Sequence, residues 1–364
     1  MPIDVRRCLL FLVALLFASA VPARQSGAPA QPGNSARYVD VVVTHKSGPP
    51  VSDLQQQDFT LLDNKVPQTI TSFQAVDGRK AAIEVIVLID AVNAPYEVIS
   101  FEREQIDKFL RAEGGNLAHP TALAVLTDTG LQGQQGFSED GNKLSASLDQ
   151  YTVSLRDLNR SAGFWGAVER FQISLQGLHE LVQRDGARPG RKIILCVSPG
   201  WPLLSGPEVQ LDDKKRRQFF TDIVNLSTDL MRDRITLYSI NPWGPGESIG
   251  REDYWENYVK GVSKVSQVNA GDLGVQVIAT QSGGVAFSAD NNVAASLRQA
   301  LADTAAYYEI SFNAPTSDNP DEYHRLEIRV AKPGLTARTR QGYYSGSDVK
   351  WGSVPTPAET GDRR

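Results

Sequence analysis

Consecutive apolar positions run from Val85 to Ile89, then stop on an acid, Asp90, and a short loop reading Ala91-Val92-Asn93-Ala94. A run apolar on both faces predicts a central strand of a parallel sheet. Behind it Val98, Phe101, Ile106, Phe109 and Leu110 fall at helical spacing and predict a helix over residues 98–113. The alternation then repeats. Strands are predicted over 121–126, 192–197 and 235–240, with a short one at 285–287 and a hairpin return near Phe137. Helices are predicted over 163–184, 214–232, 271–281 and 291–304, with a short one at 144–148. Strands alternating with helices imply an α/β, doubly wound, mostly parallel sheet with helices on both faces.

Both ends of the chain have a different texture. Short strands over 38–44, 59–62 and 68–73 are separated by the turns Ser47-Gly48-Pro49-Pro50 and Asp63-Asn64-Lys65. Strands over 307–312, 325–330 and 337–344 follow the last helix. Three strands alone are too few for a stable sandwich. The expectation is one small β-sandwich built from both ends, 37–78 and 305–345, flanking an α/β domain inserted at 80–304; domains whose termini lie close together permit such insertion.

The first twenty residues change the picture of location. Arg6 and Arg7 precede the apolar stretch 9–17, and Ala18-Ser19-Ala20 supplies small residues at a cleavage point. That is the pattern of a secretory signal peptide, too short to span a bilayer. Residues 21–36 read as a flexible lead-in and 346–364 as a disordered tail. No later stretch is apolar for long enough to cross a membrane, so the mature chain is expected to be secreted or periplasmic. Of the two cysteines, Cys8 lies in the leader, which leaves Cys196 without an intrachain partner; its place in the apolar run 193–197 predicts a buried, inert thiol. A formal charge of −5 supplies no basic field for nucleic acid. The four histidines have no ligand spacing for zinc, and there is no phosphate-cradling glycine loop.

Several blocks in fixed order carry a resemblance. They are Val39-Asp40-Val41-Val42-Val43 with Asp58-Phe59 and Asp63-Asn64-Lys65; the strand ending at Asp90; Arg191-Lys192 opening a strand that leads to Ser198-Pro199-Gly200; Gly283-Gly284; and Tyr307-Tyr308, His324 and Gly342-Tyr343-Tyr344. With these the chain resembles a von Willebrand factor type A (VWA) domain protein, and more closely the bacterial VWFA-related family common in Acidobacteria. The resemblance covers nearly all of the chain after the leader. It implies a VWA/Rossmann-like fold and one divalent cation at the top of the sheet, held by Asp-x-Ser-x-Ser, a loop threonine and a Ser-Asp-Gly turn. Here both serine positions are Val92 and Ala94, the loop threonine falls near Ser161, and the last turn reads Ser198-Pro199-Gly200. Magnesium and calcium need hard oxygen ligands. One surviving carboxylate makes a poor cage, so no cofactor is expected and Asp90 is expected to cap its loop. The alternative is an atypical magnesium or calcium site at Asp90, Asn93 and Ser161.

Ser198 echoes a nucleophile elbow, but Pro199 lacks the N–H that an oxyanion hole would take from the next residue. No catalytic residue is expected, and a serine hydrolase at Ser198 is the remote alternative. Trp165, Trp201 and Trp243, with Tyr254 and Trp255, fall at or near loops of the strand ends, and aromatic rings concentrate at interfaces. The expected function is an exported, non-enzymatic protein-binding or scaffold protein with a degenerate metal-ion-dependent adhesion site. The candidate ligand-binding residues are Asp90, Asn93, Ser161, Ser198, Trp201 and Trp243.

Overall fold

A computed structural model describes residues 36–46, 48–133, 136–151, 163–202, 211–243, 254–287, 292–315, 317, 319 and 321–346. Apart from Ala36 and Gly346, the expected leader, lead-in and tail lie outside these residues. So does Ser161.

Four strands open the chain: β1 (Ala36–His45), β2 (Phe59–Asp63), β3 (Val66–Gln68) and β4 (Ile70–Asp77). The central run forms β5 (Ile83–Asp90), in which all residues except the partly exposed Glu84 are buried. Then come α1 (Tyr96–Leu110), β6 (Asn116–Thr127), β7 (Gly130–Gly133), β8 (Ser138–Asp140), α2 (Gly141–Tyr151) and α3 (Gly163–Gly186). The series continues through β9 (Arg191–Val197), α4 (Asp213–Arg232), β10 (Ile235–Ile240), α5 (Val275–Gln281), β11 (Ala286–Phe287) and α6 (Val293–Ala302). It closes with β12 (Ala306–Asn313), β13 (Tyr323–Val330), β14 (Leu335–Arg338) and β15 (Gly342–Tyr344).

The central sheet has the order β11-β10-β9-β5-β6-β7, with β8 also on β6. Its pairings are parallel from β11 to β6, and β7 and β8 add antiparallel edges. Alternation along β5 separates two cores. Val85, Val87 and Ile89 pack with Ile99 and Ile106 of α1, Leu144 of α2 and Leu297 of α6. Ile86 and Leu88 pack on the other face with Leu178 of α3, Leu226 of α4 and Ile278 of α5. Helices cover both faces, the arrangement expected of a strand that is apolar at every position.

Two antiparallel sheets complete the described residues, ordered β14-β1-β12-β4 and β15-β13-β2-β3. One core joins them: Val41 and Val43, Leu61, Tyr308 and Ile310, Ile328 and Tyr343. Each sheet mixes strands from both ends of the chain. The number of strands differs from expectation, since each end supplies four. The segment 68–73 is divided between β3 and β4, and Leu335–Arg338 and Gly342–Tyr344 are separate strands in separate sheets.

The first helix begins and ends earlier than its periodicity suggested; its buried residues are Ile99, Glu102, Gln105, Ile106, Phe109 and Leu110, with Val98 and Phe101 partly buried against the same core. The helix expected over 271–281 starts at Val275, preceded by a short 3-10 turn, Ala270–Leu273.

Candidate functional site

Chain order reverses at β5: β6 lies on one side of it, and β9 and β10 on the other. In open α/β sheets ligands bind at the carboxyl ends of strands at such a switch point. Asp90 ends β5 there and Ser198 follows β9. The sheet is still pinned at this level, because the Ala91 amide donates to Leu126 O at 3.0 Å and the Ser198 amide to Ile240 O at 3.0 Å.

Asp90 is wholly buried. Its Oδ1 accepts the backbone amides of Val92 and Asn93, both at 3.1 Å. Its Oδ2 accepts Asn93 Nδ2 at 2.8 Å and the Ser198 hydroxyl at 2.7 Å. An ionised carboxylate offers about four lone-pair positions, and four donors meet them. Burial raises its pKa, and the hydrogen bonds from Asn93, Ser198 and Val92 oppose that rise. Asn93 also donates to the Ser174 hydroxyl on α3 at 2.8 Å, and that hydroxyl donates to Arg170 O at 2.8 Å. Ser198 Oγ in turn accepts the Gly200 amide at 3.1 Å. Gly200 takes φ +101°, and a Cβ there would lie 2.6 Å from Gln276 Nε2, so this turn requires glycine.

A second buried acid, not among the candidates singled out from sequence, accompanies Asp90. Glu102 on α1 is fully buried, and neither carboxyl oxygen has a hydrogen-bond partner. Burial pushes its pKa well up, and the charge of Asp90 pushes it further. The signal was available: Glu102 lies three residues after Ile99 and four before Ile106, in the middle of the face that meets the sheet. Asn93 Oδ1 is also buried without a donor. Beneath them Cys196 is buried, its thiol pKa raised well above the ordinary value by burial and by the charges of Asp90 and Glu102.

Of the residues singled out from sequence, Asp90, Asn93 and Ser198 form one hydrogen-bonded cluster. Trp201 does not belong to a surface patch. It is 4% exposed and packs edge-on to Phe171 at 6.4 Å, because α3 and α4 close over this face of the sheet. Trp243 is half-buried, with its backbone amide donating to Asn241 Oδ1 at 2.9 Å. The indole N–H groups of Trp201 and Trp243 are buried without acceptors. Trp165, at the start of α3, is 78% exposed.

The Ser198 hydroxyl donates to a carboxylate, and His324, the histidine that follows it in the chain, is bonded through Nδ1 to Asp63 at 2.8 Å in the antiparallel sheets. Among the described residues no group of three or more His, Cys, Asp or Glu side chains is placed to hold a metal, and no helix is long and apolar enough to cross a membrane.

No protein-family model matches the chain, and no curated protein matches it. Solved structures do. The PilB minor pilin of Streptococcus sanguinis aligns at 10% identity over 62% of this chain and 62% of its own, with a TM-score of 0.35. The pilus adhesin SpaC of Lactobacillus rhamnosus GG aligns at 8% identity over 79% of this chain and 48% of its own, with a TM-score of 0.36. The manganese-loaded TRAP protein of Plasmodium vivax aligns at 10% identity over 75% of this chain and 98% of its own, with a TM-score of 0.33. The chain spans less than two thirds of the pilin and adhesin chains, and overlaps this loose do not fix a shared function.

Proposed function

We propose that the chain is an exported, non-enzymatic protein-binding or scaffold protein, with a VWA-like α/β domain whose metal-ion-dependent adhesion site is degenerate. The observation that carries this reading is the closed shell of Asp90. A carboxylate that already accepts four hydrogen bonds has no lone pair aimed at a cation, and magnesium needs a near-octahedral set of free oxygens. The donors present fit an anionic cap of the β5 loop and not a divalent ion. Export rests on the leader pattern around Arg6 and Arg7. The absence of chemistry rests on Ser198, whose hydroxyl faces an acid and is followed by proline. The surface offered to a partner is the carboxyl end of the sheet, with Trp165 and the exposed side of Trp243.

A cation-dependent adhesion module is the second reading. It draws on Asn93 Oδ1 and the two Glu102 oxygens, buried acceptors without donors on elements that meet at this end. Thermal melting decides between them. With added magnesium, calcium or manganese, the melting temperature is expected to match that in EDTA. A rise of several degrees that disappears in Asp90→Ala overturns the metal-free reading. Affinity capture from cell-envelope extract tests the binding surface: a partner retained in EDTA and lost with Trp165→Ala supports it, and one released by EDTA counts against it.

A further inference from the structure

The opposite end of the molecule holds an excess of buried positive charge around a small cavity. Arg191 and Lys192 open β9, and Arg234 immediately precedes β10, so the amino ends of two parallel strands bring cations together. β14 and the residues after it add Arg338 and Arg340 from the antiparallel sheets. Arg191, Arg234, Arg338 and Arg340 line one cavity of about 20 Å³ with Asp40 of β1.

The acids present do not balance the arginines. Asp40 Oδ1 accepts Arg234 at 2.7 Å, and Asp40 Oδ2 lies 3.4 Å from Arg191 Nε. Glu309 takes a second contact from Arg234 at 2.5 Å, and Asp303 pairs with Arg338. Three carboxylates therefore serve three of the arginines. Arg340 forms no ion pair among the described residues. Its Nε donates to Gly342 O at 3.0 Å and its Nη2 to Ser227 O at 3.1 Å, and it is 7% exposed. Burial draws its pKa down to about 10, the mark of a cation short of counter-charge. Arg191 is 2% exposed, and its Nε and Nη1 have no hydrogen-bond acceptor; the contact with Asp40 is an ion pair without hydrogen-bond alignment. One guanidinium face is covered by the Tyr307 ring, 4.5 Å from its centroid, which leaves the edge as the part that needs an acceptor.

A buried charge without a partner and a buried N–H without an acceptor are both destabilising. An anion in the cavity that both residues line would answer both demands. The cavity has room for about one or two water-sized species, which suits a halide and is tight for a tetrahedral oxyanion.

We propose that this cavity, between β1 and β14 on one side and the amino ends of β9 and β10 on the other, is a small-anion site that binds chloride, with Arg191 and Arg340 as its principal donors. The anion ties the antiparallel sheets to the foot of the parallel sheet. It lies at the other end of β9 from Ser198, so it is independent of the partner surface.

Crystals of the full chain soaked in sodium bromide test the site on the native protein. Anomalous density in the cavity against Arg191 and Arg340 is expected; a water there, with no anomalous signal, overturns the proposal. In solution, melting temperature is expected to rise saturably by a few degrees with chloride or bromide and not with bulky isethionate at equal ionic strength. Equal shifts with all three salts overturn it. Arg340→Met is expected to lose the halide-specific rise, and a folded variant that keeps it overturns the assignment of Arg340. If that variant does not fold, the bromide density and the halide series on the native chain still decide.

Discussion

At the scale of single residues, Glu102 and Asp90 form a pair of buried acids with opposite neighbourhoods. Asp90 has four donors, whereas Glu102 has none. Glu102 therefore keeps its proton to higher pH than an ordinary glutamate, since burial disfavours its charged form and Asp90 adds a like charge nearby. The unfolded chain releases that proton near pH ~4.3, the ordinary value for glutamate. In the folded chain the proton stays on to higher pH. Between those values the native state binds more protons than the unfolded state, so stability falls as pH rises. Glu102's contribution is complete below the unfolded value and is lost on the way up to the raised one. Glu102→Gln keeps the shape and removes the titration. It is expected to match the native protein near pH 4 and to exceed it in urea melts at pH 7, the gain growing with pH. A difference that is the same at both pH values would sink this account. Asp90's raised pKa acts in the same direction, and Glu102→Gln leaves that contribution in place.

At the scale of elements, much of the α/β part was legible and the antiparallel part less so, for physical reasons. β5 and β9 are buried on both faces, so their sequences are continuously apolar and announce themselves. The helices of the two cores keep clean stripes, as α3 shows with Phe171, Leu175, Leu178 and Leu181. The apolar stripe expected for α1 does pack on the sheet core, with Ile106, Phe109 and Leu110 buried and Val98 and Phe101 partly buried, but Glu102 went unseen because a glutamate at a core position carries no apolar signal. β3 is three residues long, and β14 and β15 sit four residues apart in different sheets; stretches so short carry almost no period. Asp90 was found because a lone acid closes an apolar strand, and its role as a loop cap could be anticipated from the loss of its serine neighbours. Trp201 was misplaced because aromatic residues mark cores and interfaces alike. The buried β9 carries a testable consequence. Cys196 is enclosed, and nearby negative charge disfavours its thiolate, the reactive form. Native protein is expected to resist a thiol reagent such as dithionitrobenzoate, modification appearing only at the rate of unfolding and complete in denaturant. Rapid labelling of the native chain would mean that the β9 core opens locally.

At the scale of the whole molecule, the chain leaves the antiparallel sheets and returns to them through one junction. β4 ends at Asp77, paired with Ala306 at the start of β12. Gly78 follows, and its amide donates to Ala305 O at 3.1 Å. A Cβ built on Gly78 would lie 1.6 Å from Thr304 O and 2.7 Å from Thr304 C, both backbone atoms that have no rotamer to relieve the clash. The outgoing and returning strands therefore touch at a point where only glycine fits. The same junction reaches into the parallel sheet, because Thr304 Oγ1 bonds to His119 Nε2 on β6 at 2.8 Å. Forcing the two segments apart should loosen both halves together. Gly78→Ala is expected to lower stability by about 1–3 kcal/mol, the range for overpacking a well-packed site. Hydrogen exchange locates the damage. Peptides from β1 and β12 and peptides from β5 and β6 are expected to lose protection in parallel, since separating Thr304 from Gly78 also disturbs its bond to His119. Loss confined to β1 and β12 would show that the junction supports the antiparallel sheets alone and that the parallel sheet stands without it.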